Sequence, residues 1–304
     1  MLNYAKVAKV PTMLRALTGL TPAGFADLLA AFTTVANAAQ QAAAQQRPSL
    51  RQRARGGGRK AKLETIADKL LFILFYFRIY PTQVALGFFF GLSQAQANEW
   101  IGRLTPLLAA ALDAEQHLPA RQAADVQQVL KACPDLEFII DGRERPIRRP
   151  QAAARQKKFY SGKKKRHTVK HLVITDKHTK KIKARSVTSE GKKHDKTLAD
   201  EQAYTFPKGT KLGQATGFQG YAPANTISLQ PTKKPKGREL TAQQKADNRH
   251  IAQQRIGVEH ALGGVKIFRI VTDVFRNFRN GFADAVMVIT CGLHNLRLDH
   301  PCTA

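Results

Sequence analysis

The spacing of the apolar residues changes near Pro134 from a helical pattern to a strand pattern, and that change constrains the fold more than any other feature of this chain. Before it, apolar residues recur at helical spacing, most clearly over residues 63–77. Beyond it, the short apolar runs at 136–140 and 171–175 are typical of buried strands. We therefore expect an α-helical N-terminal region followed by a domain built around a sheet.

The second half of the chain continues with one more strand pattern and then with helices. Residues 182–189 are expected to form a hairpin with 171–175. Thr241 begins a capping box, which predicts a long helix over 241–270, and a last amphipathic helix is expected over 281–297. One mixed sheet with helices after it favours an α/β or α+β architecture for this domain.

A basic, glycine-rich segment interrupts the helical half. Residues 47–60 read RPSLRQRARGGGRK, with six Lys or Arg and three consecutive glycines. Such a segment buries no core, so it is either a basic arm that follows a phosphate backbone or a plain solvated linker. The expected segments are residues 1–46, 47–61, 62–132 and 133–304.

The segment after the linker has the layout of a helix-turn-helix. Pro81 precedes a short second helix, Gly91 makes a turn, and Ser93 is a good N-cap for a third helix that reaches about Leu112. A plain three-helix packing unit has the same pattern, so the layout alone leaves both interpretations open. The third helix carries four side chains able to contact bases or phosphates: Gln94, Gln96, Asn98 and Arg103.

The net charge narrows the class of partner. The chain has 49 Lys and Arg against 22 Asp and Glu, a formal charge of +27, and nucleic acid is the commonest polyanion that neutralises such a charge. A basic RNA-binding protein and a generally basic cytosolic protein remain alternatives. Cys133, Cys291 and Cys302 are far apart and form neither a disulfide framework nor a metal knuckle, which favours a reducing, cytoplasmic setting. The apolar run at 70–77 is too short to cross a bilayer.

Two carboxylates are candidates for chemistry. Asp141 directly follows the predicted strand at 136–140, where a metal ligand would be held rigidly, although an ordinary turn aspartate would look the same. Glu259 lies on the predicted long helix, with Arg255 four residues before it and Lys266 seven after it. At 3.6 residues per turn these three side chains share one helix face. The alternative interpretation is a surface ladder of salt bridges.

A cationic run lies between these two candidates. Lys163, Lys164, Lys165, Arg166 and His167 stand between two predicted strands. A charge run of this kind is usually a solvated surface, but its place beside a candidate metal site equally favours a hairpin that contacts phosphates.

Several long segments of the sequence, taken together, resemble the insertion-sequence transposases of the IS-five group. The segments that carry the resemblance are LEFIIDGRERPIRRP, YSGKKKRHTVKHLVITD, SEGKKHDKTLADE, TGFQGY, NRHIAQQRIGVEHALGGVK and, near the N-terminus, PTQVALGFFFGLSQAQANEWI. They occur in colinear order over nearly the whole chain. The resemblance implies a helix-turn-helix DNA-binding domain over 62–132 and a ribonuclease H-like catalytic domain over 133–304.

The resemblance also implies an activity. In that family two aspartates and one glutamate hold two divalent cations, normally Mg²⁺ with Mn²⁺ as a substitute, which promote in-line cleavage and joining of DNA strands. The first aspartate corresponds to Asp141 and the glutamate to Glu259. The spacing of Arg255, Glu259 and Lys266 is the family's, although Ala252 stands where a tyrosine is usual.

The expected substrate is double-stranded DNA, both the terminal inverted repeats of the element and a target. Pairing of two ends implies a homodimer or a higher assembly, acting in the bacterial cytoplasm at the nucleoid. The cations expected to contact DNA are Arg51, Arg53, Arg55, Arg59, Lys60, Lys163, Lys164, Lys165, Arg166, Arg255 and Lys266, with His167 beside them.

The second aspartate of the family is missing. It should lie directly before TGFQGY, where this chain has Ala215, and alanine cannot bind a cation. Ala215 indicates either a decayed or repurposed copy, the latter a non-catalytic DNA-binding regulator, or a deliberate replacement of the aspartate. The intact surroundings favour the replacement. Asp195 and Asp200 are nearby carboxylates, but no motif assigns them the missing role. We expect the chain to be inactive in strand cleavage.

Overall fold

A computed structural model describes residues 1–45, 61–235, 237–277 and 279–301 of the chain, apart from the side chains of residues 254, 255, 256 and 258. The chain divides into two compact units. The first comprises Met1–Leu118 with Ile267–Ile270 and Asp299–Ala304, and the second comprises Pro119–Lys266 and Val271–Leu298.

The first unit is helical, as the sequence predicts. Its helices are α1 (Tyr4–Val7), α2 (Pro11–Thr18), α3 (Pro22–Gln45), α4 (Ile66–Ile79), α5 (Gln83–Phe90) and α6 (Gln94–Ala114). The eight residues from Leu70 to Phe77 of α4 are all buried, because α4 packs against α2, α3 and α6. A helix that is apolar on every side belongs in the middle of a core.

Local capping determines where the helices of the helix-turn-helix begin. α4 begins at Ile66 rather than Leu63, because Thr65 and Asp68 form a capping box. Gly91 ends α5 at φ 67°, a left-handed conformation that suits glycine. Ser93 then caps α6: its Oγ accepts from the Gln96 N–H at 3.2 Å. The Gln96 side-chain oxygen accepts from the Ser93 N–H at 3.0 Å.

No single helix in the described part of the chain has the length and hydropathy to cross a membrane. α2 and α3 reach that length and composition only as a pair bent by 60°.

The second unit is built on a seven-stranded mixed sheet. Its strands are β1 (Glu137–Pro146), β2 (Tyr160–Ser161), β3 (Arg166–Asp176), β4 (Ile182–Arg185), β5 (Ser189–Glu190), β6 (Thr210–Gln214) and β7 (Thr226–Leu229). The strand order runs β2-β3-β1-β6-β7, and β4 and β5 pair with β3. β1 is antiparallel to β3, whereas β6 is parallel to both β1 and β7. This strand order and these strand directions agree with the ribonuclease H-like domain that the resemblance implies.

Helices cover this sheet and connect its strands. They are α7 (Ala123–Lys131), α8 (Ala153–Phe159), α9 (Asp195–Gln202), α10 (Ala242–Lys266) and α11 (Phe282–Asp299). The predicted capping box at Thr241 is present: the Gln244 N–H donates to Thr241 Oγ1 at 3.2 Å, and the Thr241 N–H donates to Gln244 Oε1 at 3.0 Å.

The strand prediction was wrong about the length of β1. The strand does not end before Asp141; it continues to Pro146, and all of Phe138–Pro146 pairs with β3. The predicted hairpin of β3 with β4 is confirmed, with a register shift between Ile174 and Thr175.

One side of the sheet holds an apolar cluster. Phe138 and Ile140 of β1 pack there with Leu172 of β3, Leu212 of β6 and Leu198 of α9. The short strand β4 is held by α11. The Ile182 N–H donates to Asn295 Oδ1 at 2.8 Å, and Asn295 Nδ2 donates to the Ile182 carbonyl at 2.9 Å. Asn295 thus satisfies both backbone groups of a buried strand residue.

Asn295→Ala should lower the free energy of unfolding by about 2–4 kcal/mol, because it leaves a buried N–H and a buried C=O without a partner. Urea denaturation followed by circular dichroism measures the change. Gln127→Ala, on the exposed face of α7, is the control and should change stability by less than about 0.5 kcal/mol. Equal stabilities of the two variants would contradict the stabilising role of the two hydrogen bonds between Asn295 and Ile182.

Candidate active site

Asp141 and Ala215, the positions expected for the two aspartates, lie at the end of the parallel pair β1–β6. The pairing of these strands runs from Glu137 with Lys211 to Ile140 with Gln214. Asp141 is the next residue of β1, and Ala215 directly follows the end of β6. Because the strands are parallel, both positions lie at the same edge of the pairing. Ala215 precedes a short 3₁₀ turn, Thr216–Phe218, and its methyl group packs against the apolar cluster.

Alternation along β1 places Arg143 on the same face of the strand as Asp141. Burial lowers the pKa of the Arg143 guanidinium, and the negative charge of Asp141 opposes that shift. Arg143 was not among the residues expected from the sequence. Its spacing of two from Asp141 within a strand is the signal that would have found it, but only once β1 is known to continue past Asp141.

The long helix α10 brings Glu259 and Lys266 to the same place. The positive charge of Arg143 and partial burial lower the pKa of the Lys266 amine, with Lys164 acting in the same direction, while Glu259 and Asp141 raise it. Such charge effects are screened over about 10 Å in salt, and α10 itself contacts β1 and β6. The described residues of the site are therefore two carboxylates and three cations: Asp141, Glu259, Arg143, Lys164 and Lys266. The Arg255 side chain lies outside the described residues.

This set of residues does not fit a two-metal centre. Within the part of the chain that the structure describes, no three His, Cys, Asp or Glu side chains are close enough together to hold a metal ion. Divalent cations such as Mg²⁺ are held by carboxylates together with substrate phosphates. Here the positively charged side chains outnumber the carboxylates. The charge balance suits a phosphate group better than a metal ion.

Asp195 lies beside the site, on the other face of β1. Its carboxylate packs against Gly142 and Gly217: a methyl group on Gly142 would lie 2.6 Å from Asp195 Oδ1, and one on Gly217 would lie 2.6 Å from Oδ2. Lys170 Nζ lies 2.8 Å from Asp195 Oδ1 and 3.7 Å from Glu144 Oε1. Asp195 therefore wedges between the segments that follow Asp141 and Ala215, paired with a buried lysine.

Asp200, the other carboxylate near the missing position, points elsewhere. It pairs with Lys196 one helical turn away, at 2.6 Å, and its side chain is half exposed. Surface pairs of this kind contribute little to stability.

The four candidate DNA contacts on α6 differ in how they are held. Gln94 is exposed, whereas Gln96 is engaged in the cap of the helix. Asn98 Oδ1 accepts from Gln83 Nε2 at 3.1 Å. Arg103 pairs with Glu99 and lies over the Trp100 ring.

The cationic run occupies the tip of a hairpin. Lys163, Lys164 and Lys165 form the turn between β2 and β3, and Arg166 and His167 begin β3. All but His167 are exposed. The remaining expected cations, Arg51, Arg53, Arg55, Arg59 and Lys60, lie outside the described residues.

Comparison with known families agrees with this architecture. The profile of the DDE superfamily endonucleases matches residues 140–295, and the profile of the helix-turn-helix of DDE superfamily endonucleases matches residues 61–114. The chain belongs to this family: it is an insertion-sequence DDE transposase by descent, with a DNA-binding helix-turn-helix ahead of a ribonuclease H-like endonuclease domain. Endonucleases of this superfamily generally use divalent metals.

Two curated relatives are similar over most of their length. A probable transposase for insertion sequence element IS702 of Microchaete diplosiphon is 32% identical over 79% of this chain and 83% of its own. A putative transposase for insertion sequence element IS112 of Streptomyces albus G is 26% identical over 77% of this chain and 80% of its own. No solved structure matches the chain.

The contact between Gly142 and Asp195 leads to a test of how the site is supported. Gly142→Ala should destabilise the protein by about 1–3 kcal/mol, because the added methyl group displaces the Asp195 carboxylate from Lys170. The double variant with Asp195→Ala should lose less stability than the sum of the losses of the two single variants, as expected for residues in contact. Thermal unfolding of the four proteins measures this coupling. Gly162→Ala is the matched control, since a methyl group there meets no atom within 4 Å. If the losses of the two single variants simply add in the double variant, the contact between Gly142 and Asp195 does not support the site.

Proposed function

We propose that this protein binds the terminal inverted repeats of an insertion sequence as a dimer or higher assembly, and that the chain with Ala215 does not cleave them. The observation that carries the proposal is the composition of the strand-end site. Asp141 and Glu259 are present, Ala215 stands at the neighbouring strand end, and cations surround both carboxylates. The family membership supports DNA as the ligand.

In this proposal each part of the chain has its own task. The helix-turn-helix recognises the element ends, with α6 as the reading helix. In the second unit Arg143, Lys164 and Lys266 hold a backbone phosphate near Asp141 and Glu259 by charge. A missing carboxylate favours this binding, because one fewer anion repels the phosphate. The protein then acts at the nucleoid, where such ends occur.

Ala215→Asp should restore Mg²⁺- or Mn²⁺-dependent nicking of a labelled duplex that carries the element end, whereas the chain with Ala215 should leave that duplex intact. The added carboxylate would follow β6 at the place where Asp141 passes along β1. Gel analysis of the duplex measures cleavage. Adding Asp141→Asn or Glu259→Gln to Ala215→Asp should abolish the nicking again, with DNA binding retained.

Two outcomes would contradict this assignment. Cleavage by the Ala215 chain would show that the second carboxylate comes from elsewhere, and Asp195→Asn would then be the next variant. An inert Ala215→Asp protein that still binds element ends would favour the second candidate function, a DNA-binding regulator derived from a transposase. That candidate is favoured by one observation: the described residues contain no three-carboxylate group.

Gln94→Ala should reduce the discrimination between element ends and unrelated duplex by about 1–3 kcal/mol, the worth of one good base contact, while non-specific affinity stays unchanged. Competition binding with the two duplexes measures the ratio. Gln96→Ala should behave differently, because it also removes a capping interaction and lowers the melting temperature. Gln96→Glu preserves the capping box and separates the two effects. If Gln94→Ala and Gln96→Glu both discriminate between element ends and unrelated duplex as well as the unaltered protein does, the start of α6 does not recognise the element ends.

A further inference from the structure

One stretch of the second unit is unusually rich in positive charge. Residues 145–175 contain eleven Lys or Arg and no Asp or Glu. Arg145 and Lys170 are buried in the sheet, and the other nine are exposed. Most of these exposed cations lie on α8 and on the turn between β2 and β3. We call the following residues the hairpin surface: Arg155, Lys157, Lys158, Tyr160, Lys163, Lys164, Lys165 and Arg166.

An aromatic ring lies in the middle of this surface. Tyr160, the first residue of β2, is 42% exposed although it is a large side chain. It stands opposite His167 in the register of β2 with β3, and the two rings are 5.5 Å apart at 71°. The edge-to-face contact with His167 supports the Tyr160 ring from one side. A ring held in this way presents a rigid face to a ligand.

The hairpin surface also lies close to the candidate site. Lys164, in the turn of the hairpin, is near enough to Lys266 for its positive charge to lower the Lys266 pKa. A DNA strand whose phosphate lies at Lys266 therefore has its neighbouring nucleotides within reach of the hairpin.

The combination of cations and an exposed ring distinguishes between two forms of DNA. Paired bases are stacked on each other, so a duplex offers such a surface only its phosphates, and Tyr160 would add nothing to the contact. An unpaired base has a free face, and stacking of that face on an aromatic ring adds to the attraction of the phosphates by the cations. We propose that the hairpin surface binds a single-stranded DNA segment, with an unpaired base stacked on Tyr160.

This inference rests on the proposed function in one respect, namely that the ligand is DNA. It adds that the strand beside the site is unpaired, as at a frayed or nicked end. It also identifies Tyr160 as a binding residue that none of the sequence patterns indicated, because it stands between two cationic runs that draw attention to charge alone.

The test compares three DNAs that share one labelled duplex carrying the element end: one with a blunt end, one with a tail of unpaired deoxyadenosines, and one with a tail of abasic sites of the same length. Fluorescence anisotropy measures the affinity of the full chain for each. The unaltered protein should prefer the adenine tail to the abasic tail. Tyr160→Ala should lose that preference, a weakening of roughly 5- to 150-fold for the adenine tail, whereas Tyr160→Phe should keep it. Affinity for the blunt duplex should not change in either variant.

Two control variants separate stacking from charge and from the loss of any exposed apolar group. Lys163→Ala should weaken binding to all three DNAs alike and flatten the salt dependence by about one phosphate contact. Ile227→Ala removes a side chain of comparable exposure on β7, at the opposite end of the strand order, and should change nothing. Circular dichroism of each variant confirms folding.

Equal affinity of the unaltered chain for the adenine and abasic tails would overturn the inference and leave a surface that follows phosphates only. A preference that survives Tyr160→Ala would assign the unpaired base to another residue and would overturn it as well. Failure to bind the blunt duplex in addition to both tails would overturn the proposed function together with this inference. A 2-aminopurine in the tail provides a second readout, since stacking on Tyr160 should quench its fluorescence and Tyr160→Ala should not.

Discussion

The unequal pairing of β1 with its two neighbours is the constraint on which the candidate site depends. On one side β1 pairs with β3 over nine residues, and on the other it pairs with β6 over only four. Asp141 is therefore held in a continuous antiparallel ladder while its parallel partner has already turned away at Ala215. A carboxylate within a paired strand is more rigid than one in a loop, and the departure of β6 leaves room beside it for another ligand.

The two faces of β1 beyond Ile140 have opposite electrostatic characters. On the face of Asp141, cations from β1, α10 and the hairpin gather around two carboxylates. On the face of Gly142, the excess is negative: Glu144 and Asp195 share one lysine, Lys170. Asp195 reaches that position only because Gly142 and Gly217 lack side chains. The part of β1 that carries Asp141 is thus supported on its opposite face by the network of Glu144, Asp195 and Lys170, which has a net negative charge.

Those parts of the structure that depend on local chemistry could be predicted from the sequence. The caps at Ser93 and Thr241 and the glycine turn at Gly91 satisfy backbone groups within four residues, so their motifs are visible in the chain. The family's blocks assign the catalytic roles to Asp141 and Glu259, and those roles stay predictions.

The far half of β1 could not be predicted in this way. Its sequence, DGRERP, has too much charge and too few β-branched residues to indicate a strand. It is a strand because distant groups stabilise it. The Arg145 guanidinium lies 4.1 Å from the centre of the Phe275 ring and donates to the Ala283 carbonyl at 3.1 Å. Partners 130 and 138 residues away leave no local pattern, and the position of Asp195 leaves none either.

The buried cations also change how the net charge should be interpreted. Arg185 is fully buried and pairs with Asp284, and its guanidinium lies 3.3 Å from His171 Nδ1. Burial, together with the charges of Arg185 and Arg145, lowers the pKa of His171 well below its ordinary value, so the ring stays neutral at physiological pH. A neutral imidazole nitrogen can accept a hydrogen bond from a guanidinium, which a protonated one cannot. Arg145, Lys170 and Arg185 therefore belong to the core of the sheet, and their charges are unavailable to a ligand. Three carboxylates beside them, Glu144, Asp195 and Asp284, balance these three charges, so the formal charge of +27 is carried by the other groups, and exposed cations such as those of the hairpin surface are the ones available to phosphates.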